Sequence, residues 1–359
     1  MAESERVNFE ELPNLPDEPW DWVEISLNLL SPLRNHSEES QRKRHRLRWM
    51  MKPRAVPQLI LKLQEHREKE SALRMLSSYL YEKRQEDRTN YYRTGLLLYH
   101  SFGTMTILIQ ELILVYRMMI HGHLTERAAM RLINVIILWQ CIAANSKTRQ
   151  EIVKCRMVNL LEPLVMFQSP FKVYDNVRAV VLSVFGIICQ GREPNIIQWA
   201  IESNILDICC FSMETGNELN IVIGLNILES ILREKLGMSW FLSSTCNIMR
   251  GKLLKMWENL VKVLAMHRCY WPRLLFHIIR CYILMCSDSR GHDIVRESLP
   301  HPLVDGTFCE ILEEHCPLPE YRVIWRLLRQ LLLIVGKEHS VNCTFCQRSF
   351  SNTIVQKNK

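Results

Sequence analysis

Four segments of this chain are apolar at most positions for about three helical turns, and they recur down the sequence. They begin at Leu132, Val180, Ile223 and Leu274. After the first, a polar turn at Asn145-Ser-Lys-Thr leads into a second amphipathic stretch at Ile152. After the second, Gly191-Arg-Glu-Pro leads into Ile196. The spacing is irregular but close to the roughly 40–47 residues of armadillo and HEAT units. A helical unit of this kind cannot bury its own apolar face, so stacking must supply one continuous core and an extended curved groove. The pattern predicts an all-α chain, an α-solenoid.

Helical spacing starts earlier, with Leu59, Ile60 and Leu63, then Leu73, Leu76 and Leu80, and Leu96, Leu97, Leu98, Phe102, Met105 and Leu108. No sustained period-two alternation suggests a sheet. Hydrophobic residues make up 48% of the 359, with only 12 glycines. That excludes a disordered or collagen-like chain, and it leaves little glycine for tight turns and phosphate loops.

Proline placement divides the sequence. Six of the 14 prolines fall in residues 1–57, and none lies between Gln58 and Glu162. Residues 1–57 read as a mobile extension, acidic at first and then basic, residues 58–335 as the helical domain, and 336–359 as a disordered tail. The basic block contains Arg42, Lys43, Arg44, Arg46 and Arg48. It is a candidate import or nucleic-acid patch, with a solvated tail as the alternative. The opening Met-Ala-Glu-Ser-Glu-Arg lacks the apolar stretch of a signal peptide. The longest apolar run found, Met105–Met119, is interrupted by Gln110, Glu111 and Arg117, so no membrane span is expected. Thirteen scattered cysteines, mostly inside apolar segments, read as free thiols of a reducing compartment. The expected location is cytoplasmic and nuclear.

No phosphate-loop, dinucleotide or nucleophile-elbow motif is present, so neither a catalytic residue nor a cofactor is expected. His121 and His123 flank Gly122 without further ligands nearby. Cys343-Thr-Phe-Cys346, with His339, His315 and Cys316 as possible partners, falls short of a convincing zinc set. Arg178, Arg192, Arg233, Arg250, Arg273, Arg280 and Arg290 recur near the helical units. Two readings stay open: a positive stripe for phosphate backbones, or ordinary exposed side chains.

His100-Ser-Phe-Gly-Thr104, then Gln110-Glu-Leu and Tyr116, resembles the signature of the Rcd-one-like cell differentiation family. Leu138-Trp-Gln-Cys141, Lys147-Thr-Arg149, Glu214-Thr-Gly-Asn-Glu-Leu219 and Arg280-Cys-Tyr282 continue it in the family's order. That family is the armadillo-repeat subunit of the Ccr–Not mRNA deadenylase complex. The resemblance implies a right-handed superhelix of about six repeats and a non-catalytic adaptor in mRNA deadenylation, decay and repression. It also implies docking onto the Not scaffold protein, silencing-factor peptides and single-stranded nucleic acid as partners, and self-association into a homodimer. Arg273, Arg280 and Arg290 fall where the family has arginines, and so become candidates for a nucleic-acid or peptide groove. At a tryptophan pocket the family's Tyr-x-Arg aligns with Thr245-Cys246-Asn247, and a small alanine becomes Ile294 beside Arg290. The pocket therefore reads as degraded, because an aromatic wall and a cation are lost. Trp20-Asp-Trp22 could fold back onto a peptide pocket of the same molecule. The alternative function is a nuclear nucleic-acid-binding transcriptional regulator acting apart from the complex.

Overall fold

The structure, a computed structural model, describes residues 55–168, 173–268, 271–315 and 318–337. Every regular element among them is a helix, and no strand is present among the described residues. The basic block at Arg42–Arg48, Trp20 and Trp22, and Cys316, His339, Cys343 and Cys346 lie outside the described residues. The helices group into two compact units, with the boundary between Ile227 and Leu228.

In the first unit the helices are α1 (Val56–Lys62), α2 (Lys69–Glu86), α3 (Arg88–His100), α4 (Thr104–Ile120), α5 (Glu126–Ala144) and α6 (Ser146–Lys154). A 3-10 turn at Met157–Leu161 leads to α7 (Glu162–Met166), followed by α8 (Val173–Cys189), α9 (Pro194–Glu202) and α10 (Ile205–Thr215). Helix α11 (Glu218–Leu232) crosses the boundary. Local chemistry sets several starts. The Asp87 side chain accepts from the Asn90 amide at 3.0 Å, Thr125 from Ala128 at 3.2 Å, and Asn145 from Lys147 at 3.0 Å. Each satisfies an amide that has no partner inside the helix.

Helix α5 is the hub of this unit, packing against α2, α3, α4, α6 and α8. Every residue from Leu132 to Ala143 is buried except Asn134. A helix apolar on all sides must be enclosed on all sides, and each buried Leu or Ile contributes about 1.5–3 kcal/mol. By length and composition alone Glu126–Ala144 could cross a membrane, although the sequence expectation singled out only Met105–Met119. Its burial among five neighbouring helices explains that composition. Packing on α3 is close: a Cβ on Gly95 would collide with the Cys141 carbonyl, and the Cys141 thiol donates to the Tyr91 carbonyl at 3.1 Å.

The second unit holds the end of α11 and then α12 (Lys235–Phe241), α13 (Asn247–Met266), α14 (Pro272–Met285) and α15 (Ser289–Ser298). After a 3-10 turn at His301–Leu303 come α16 (Thr307–Glu314) and α17 (Pro319–Ile334). Helix α14 is the hub here, buried from Leu274 to Met285 and packed on α13, α15 and α17. Proline at its first position costs no hydrogen bond, because that amide has no helical partner. In each unit, helices pack on their near neighbours in sequence around an apolar hub, which is the α-solenoid pattern.

Candidate docking surface and the arginines

The arginines that recur near the helical units have several distinct jobs. Arg178 is buried. Its Nε donates to the Val165 carbonyl at 3.0 Å, Nη2 to the Phe167 carbonyl at 2.8 Å, and Nη1 to Asp175 at 2.9 Å. It therefore ties off the C-terminus of α7, where carbonyls lack amide partners. Arg250 does the same for α12, reaching the Phe241 carbonyl at 2.8 Å and that of Ser243 at 3.1 Å. Arg149, in the Lys147-Thr-Arg149 motif, points to the Ala143 and Ala144 carbonyls and pairs with Glu193 at 2.8 Å. Arg192 sits in a left-handed turn after α8.

Arg280 is only 4% exposed, so it does not offer its guanidinium to a groove. It donates through Nε to Glu229 at 2.9 Å and approaches the same carboxylate through Nη2 at 2.7 Å. Its guanidinium lies 4.9 Å from the Phe276 ring centre. Arg233 donates to the same Glu229 oxygen, and His277 Nδ1 lies 3.0 Å from the other. This buried charge group accounts for two of the seven arginines. Cys281, beside it, has its thiol pushed well above the usual range by burial, and further by the Glu229 charge.

Of the groove candidates, Arg273 is half-buried at the start of α14, and Arg290 is 57% exposed on α15 and pairs with Asp288 at 3.3 Å. Burial pushes the Asp288 carboxyl up. Hydrogen bonds from the Arg290 side chain and amide outweigh that and bring it below its ordinary value. The structure does not gather the three arginines into one exposed cluster, because Arg280 is committed to Glu229. A Cβ on Gly291 of α15 would lie 3.3 Å from Leu242, three residues before Thr245. Thr245 and Asn247 are exposed there and Ile294 is half-buried. Thr245 shares a 2.7 Å hydrogen bond with Ser243, and the Asn247 side-chain oxygen accepts from Arg250 at 2.8 Å. His121 and His123 stack with ring centres 6.5 Å apart, and the described residues contain no metal-capable cluster.

The surface that stands out lies on the first unit. Helices α3 and α4 meet at 83° through the corner Ser101-Phe102-Gly103, where Gly103 takes the left-handed conformation at φ 73°. That conformation suits glycine, and it leaves Phe102 91% exposed. Helix α4 buries one face through Ile107, Leu108, Leu112, Val115 and Met119. Its opposite face carries Ile113, which is exposed, and Ile120, which is 80% exposed, together with the exposed Thr106, Gln110 and Arg117. Thr106, Ile109, Ile113 and Ile120 follow three-to-four spacing or its multiple and so share one outward stripe of α4, with Phe102 at the corner before it. On α1, Leu61 is exposed, and Gln64 beyond it donates to the Phe102 carbonyl at 2.9 Å. Contiguous apolar exposure of this kind marks an interaction surface.

Comparison with known proteins decides the family. The model of the cell differentiation family, Rcd1-like, matches residues 59–333, well over half of the chain. The chain belongs to the Rcd1-like cell differentiation family. It is similar to the cell differentiation protein rcd1 of Schizosaccharomyces pombe, 29% identical over 262 residues, 73% of this chain and 88% of that protein. It is also similar to the protein CAF40 of Saccharomyces cerevisiae, 27% identical over 249 residues, 68% of this chain and 64% of that protein. The matched span runs from within α1 to within α17 and leaves the basic block outside.

Within this Rcd1-like chain, the sequence places Phe102 in a helical apolar series from Leu96 to Leu108 and in a family signature, but the structure breaks that series at the corner and leaves Phe102 exposed. The available signal was the composition of α4. Seventeen residues with isoleucine, leucine, valine or methionine on both faces exceed what one buried stripe requires.

Proposed function

We propose that this chain is a non-catalytic adaptor subunit of a Ccr–Not deadenylase complex, docked onto the Not scaffold protein through the outer face of α4 with Phe102 at its corner. Through that contact it serves mRNA deadenylation, decay and translational repression, in the cytoplasm and the nucleus. One observation carries the reading: an exposed apolar stripe on a helix that already buries a complete second face. The similarity to rcd1 and CAF40 supports membership of that complex.

Recruitment through tryptophan-bearing silencing peptides is weakened in this chain. Thr245 and Asn247 provide neither an aromatic wall nor a cation, and Asn247 is engaged by Arg250. Titration with a tryptophan-rich silencing peptide should give a Kd at least tenfold weaker than for rcd1, and equal affinity would refute this. The docking reading is tested by capture of purified Not scaffold on the full chain after nuclease treatment. Nuclease-resistant capture that disappears in Phe102→Asp/Ile113→Asp supports it. Capture that depends on RNA supports a nucleic-acid regulator instead.

A further inference from the structure

The corner at Phe102, just before α4, lies beside the turn after the first helix of the described fold, and the preceding sequence suits the outer face of α4. We propose that Trp20–Leu30 of the same chain occupies this face and competes with the scaffold for it. The competition rests on the docking role proposed above; the intramolecular contact does not.

Position comes first. The extension joins the fold at Ala55, α1 begins at Val56, and the turn after α1 reaches the Phe102 carbonyl through Gln64. The 24 residues 31–54, taken as a flexible chain, would have a root-mean-square reach of about 27 Å. Helix α4, with 17 residues, is about 26 Å long. A tether of that reach is about as long as α4 itself.

Charge is complementary. Trp20–Leu30 carries two carboxylates, Asp21 and Glu24, and no cation, and residues 1–30 as a whole carry eight carboxylates against the single cation Arg6. On α4 itself the exposed cation is Arg117, and the one carboxylate of the helix is Glu111. Glu111 is buried and held by Arg131 at 2.6 Å and Lys69 at 3.5 Å, so it opposes no acidic ligand at the surface. Apolar content matches as well. Trp20, Trp22, Val23, Ile25, Leu27, Leu29 and Leu30 fall within eleven residues, an apolar density suited to the exposed Phe102, Ile113 and Ile120. A tethered segment acts at an effective concentration of about 1 mM, so a contact with an intrinsic Kd of ~0.1 mM would lower scaffold affinity about tenfold.

The test uses the full chain with p-benzoylphenylalanine in place of Phe102, irradiated at two concentrations tenfold apart and mapped by mass spectrometry. Because Phe102 is exposed, the replacement leaves the core intact. Intrachain crosslinks to residues 20–30, with equal yield at both concentrations and at least fivefold loss in Trp20→Ser/Trp22→Ser, are expected. Crosslinks only between two chains, or none to the extension, would overturn the contact. Scaffold affinity measured in parallel on unlabelled protein should rise about tenfold in Trp20→Ser/Trp22→Ser, and equal affinity would overturn the competition. If no form binds scaffold while the crosslink persists, the docking role fails and the intramolecular contact stands.

Discussion

Replacing Glu229 with glutamine keeps the shape of the side chain and removes the charge on which Arg280 and Arg233 converge. Breaking a buried ion pair from one side costs about 3–5 kcal/mol, because the remaining charge stays in a poor solvent. Arg233 is 22% exposed and can recover water, so the cost falls mainly on Arg280. The glutamine oxygen still accepts one hydrogen bond, which returns about 1 kcal/mol. The expected loss is about 3 kcal/mol. Urea unfolding should show a lower midpoint at unchanged slope, and Tm should fall by about 6–12 °C. Adding Arg280→Met should recover at least half of the loss, since an apolar replacement of both partners is often nearly neutral. A loss under about 0.5 kcal/mol for Glu229→Gln, or no recovery in the double variant, would refute a stabilising role for the carboxylate.

Two further outcomes follow from the same geometry. Arg178→Lys should cost about 2–3 kcal/mol in urea unfolding, because one ammonium cannot satisfy two buried carbonyls and Asp175 together; a change within about 0.5 kcal/mol would show that the carbonyls are satisfied otherwise. Glu258, hydrogen-bonded by Lys255 and then Lys262, has its carboxyl drawn down to about 2. Its folded value lies below the unfolded one, so its contribution is complete above the ordinary carboxylate range and fades as pH falls toward about 2. A carboxylate NMR titration of Glu258 with an ordinary midpoint would contradict the two lysine contacts.

The helical architecture was legible because apolar spacing is a direct consequence of burial. The run from Leu132 to Ala143 can only be a hub helix or a membrane span, and its neighbours make it a hub. The arginines were not legible. Whether Arg178 caps a carbonyl, Arg280 meets a carboxylate or Arg290 faces water depends on which helix ends lie beside each one, and spacing along one helix does not encode that. Glu229 illustrates the same gap, since nothing in Leu228-Glu-Ser marks a charge buried against α14. The α4 surface falls between these cases. Its two-sided apolar pattern was present in the sequence, but only the fold shows that α5 covers one side and that Phe102 stands out at the corner.

The central claim is that this chain docks through α4, and calorimetric titration of the full chain with purified Not scaffold tests it most directly. The account predicts saturable binding with a negative heat-capacity change, as expected for apolar burial, and loss of at least a hundredfold in affinity in Phe102→Asp/Ile113→Asp with unchanged Tm. Undiminished binding by that variant would contradict it.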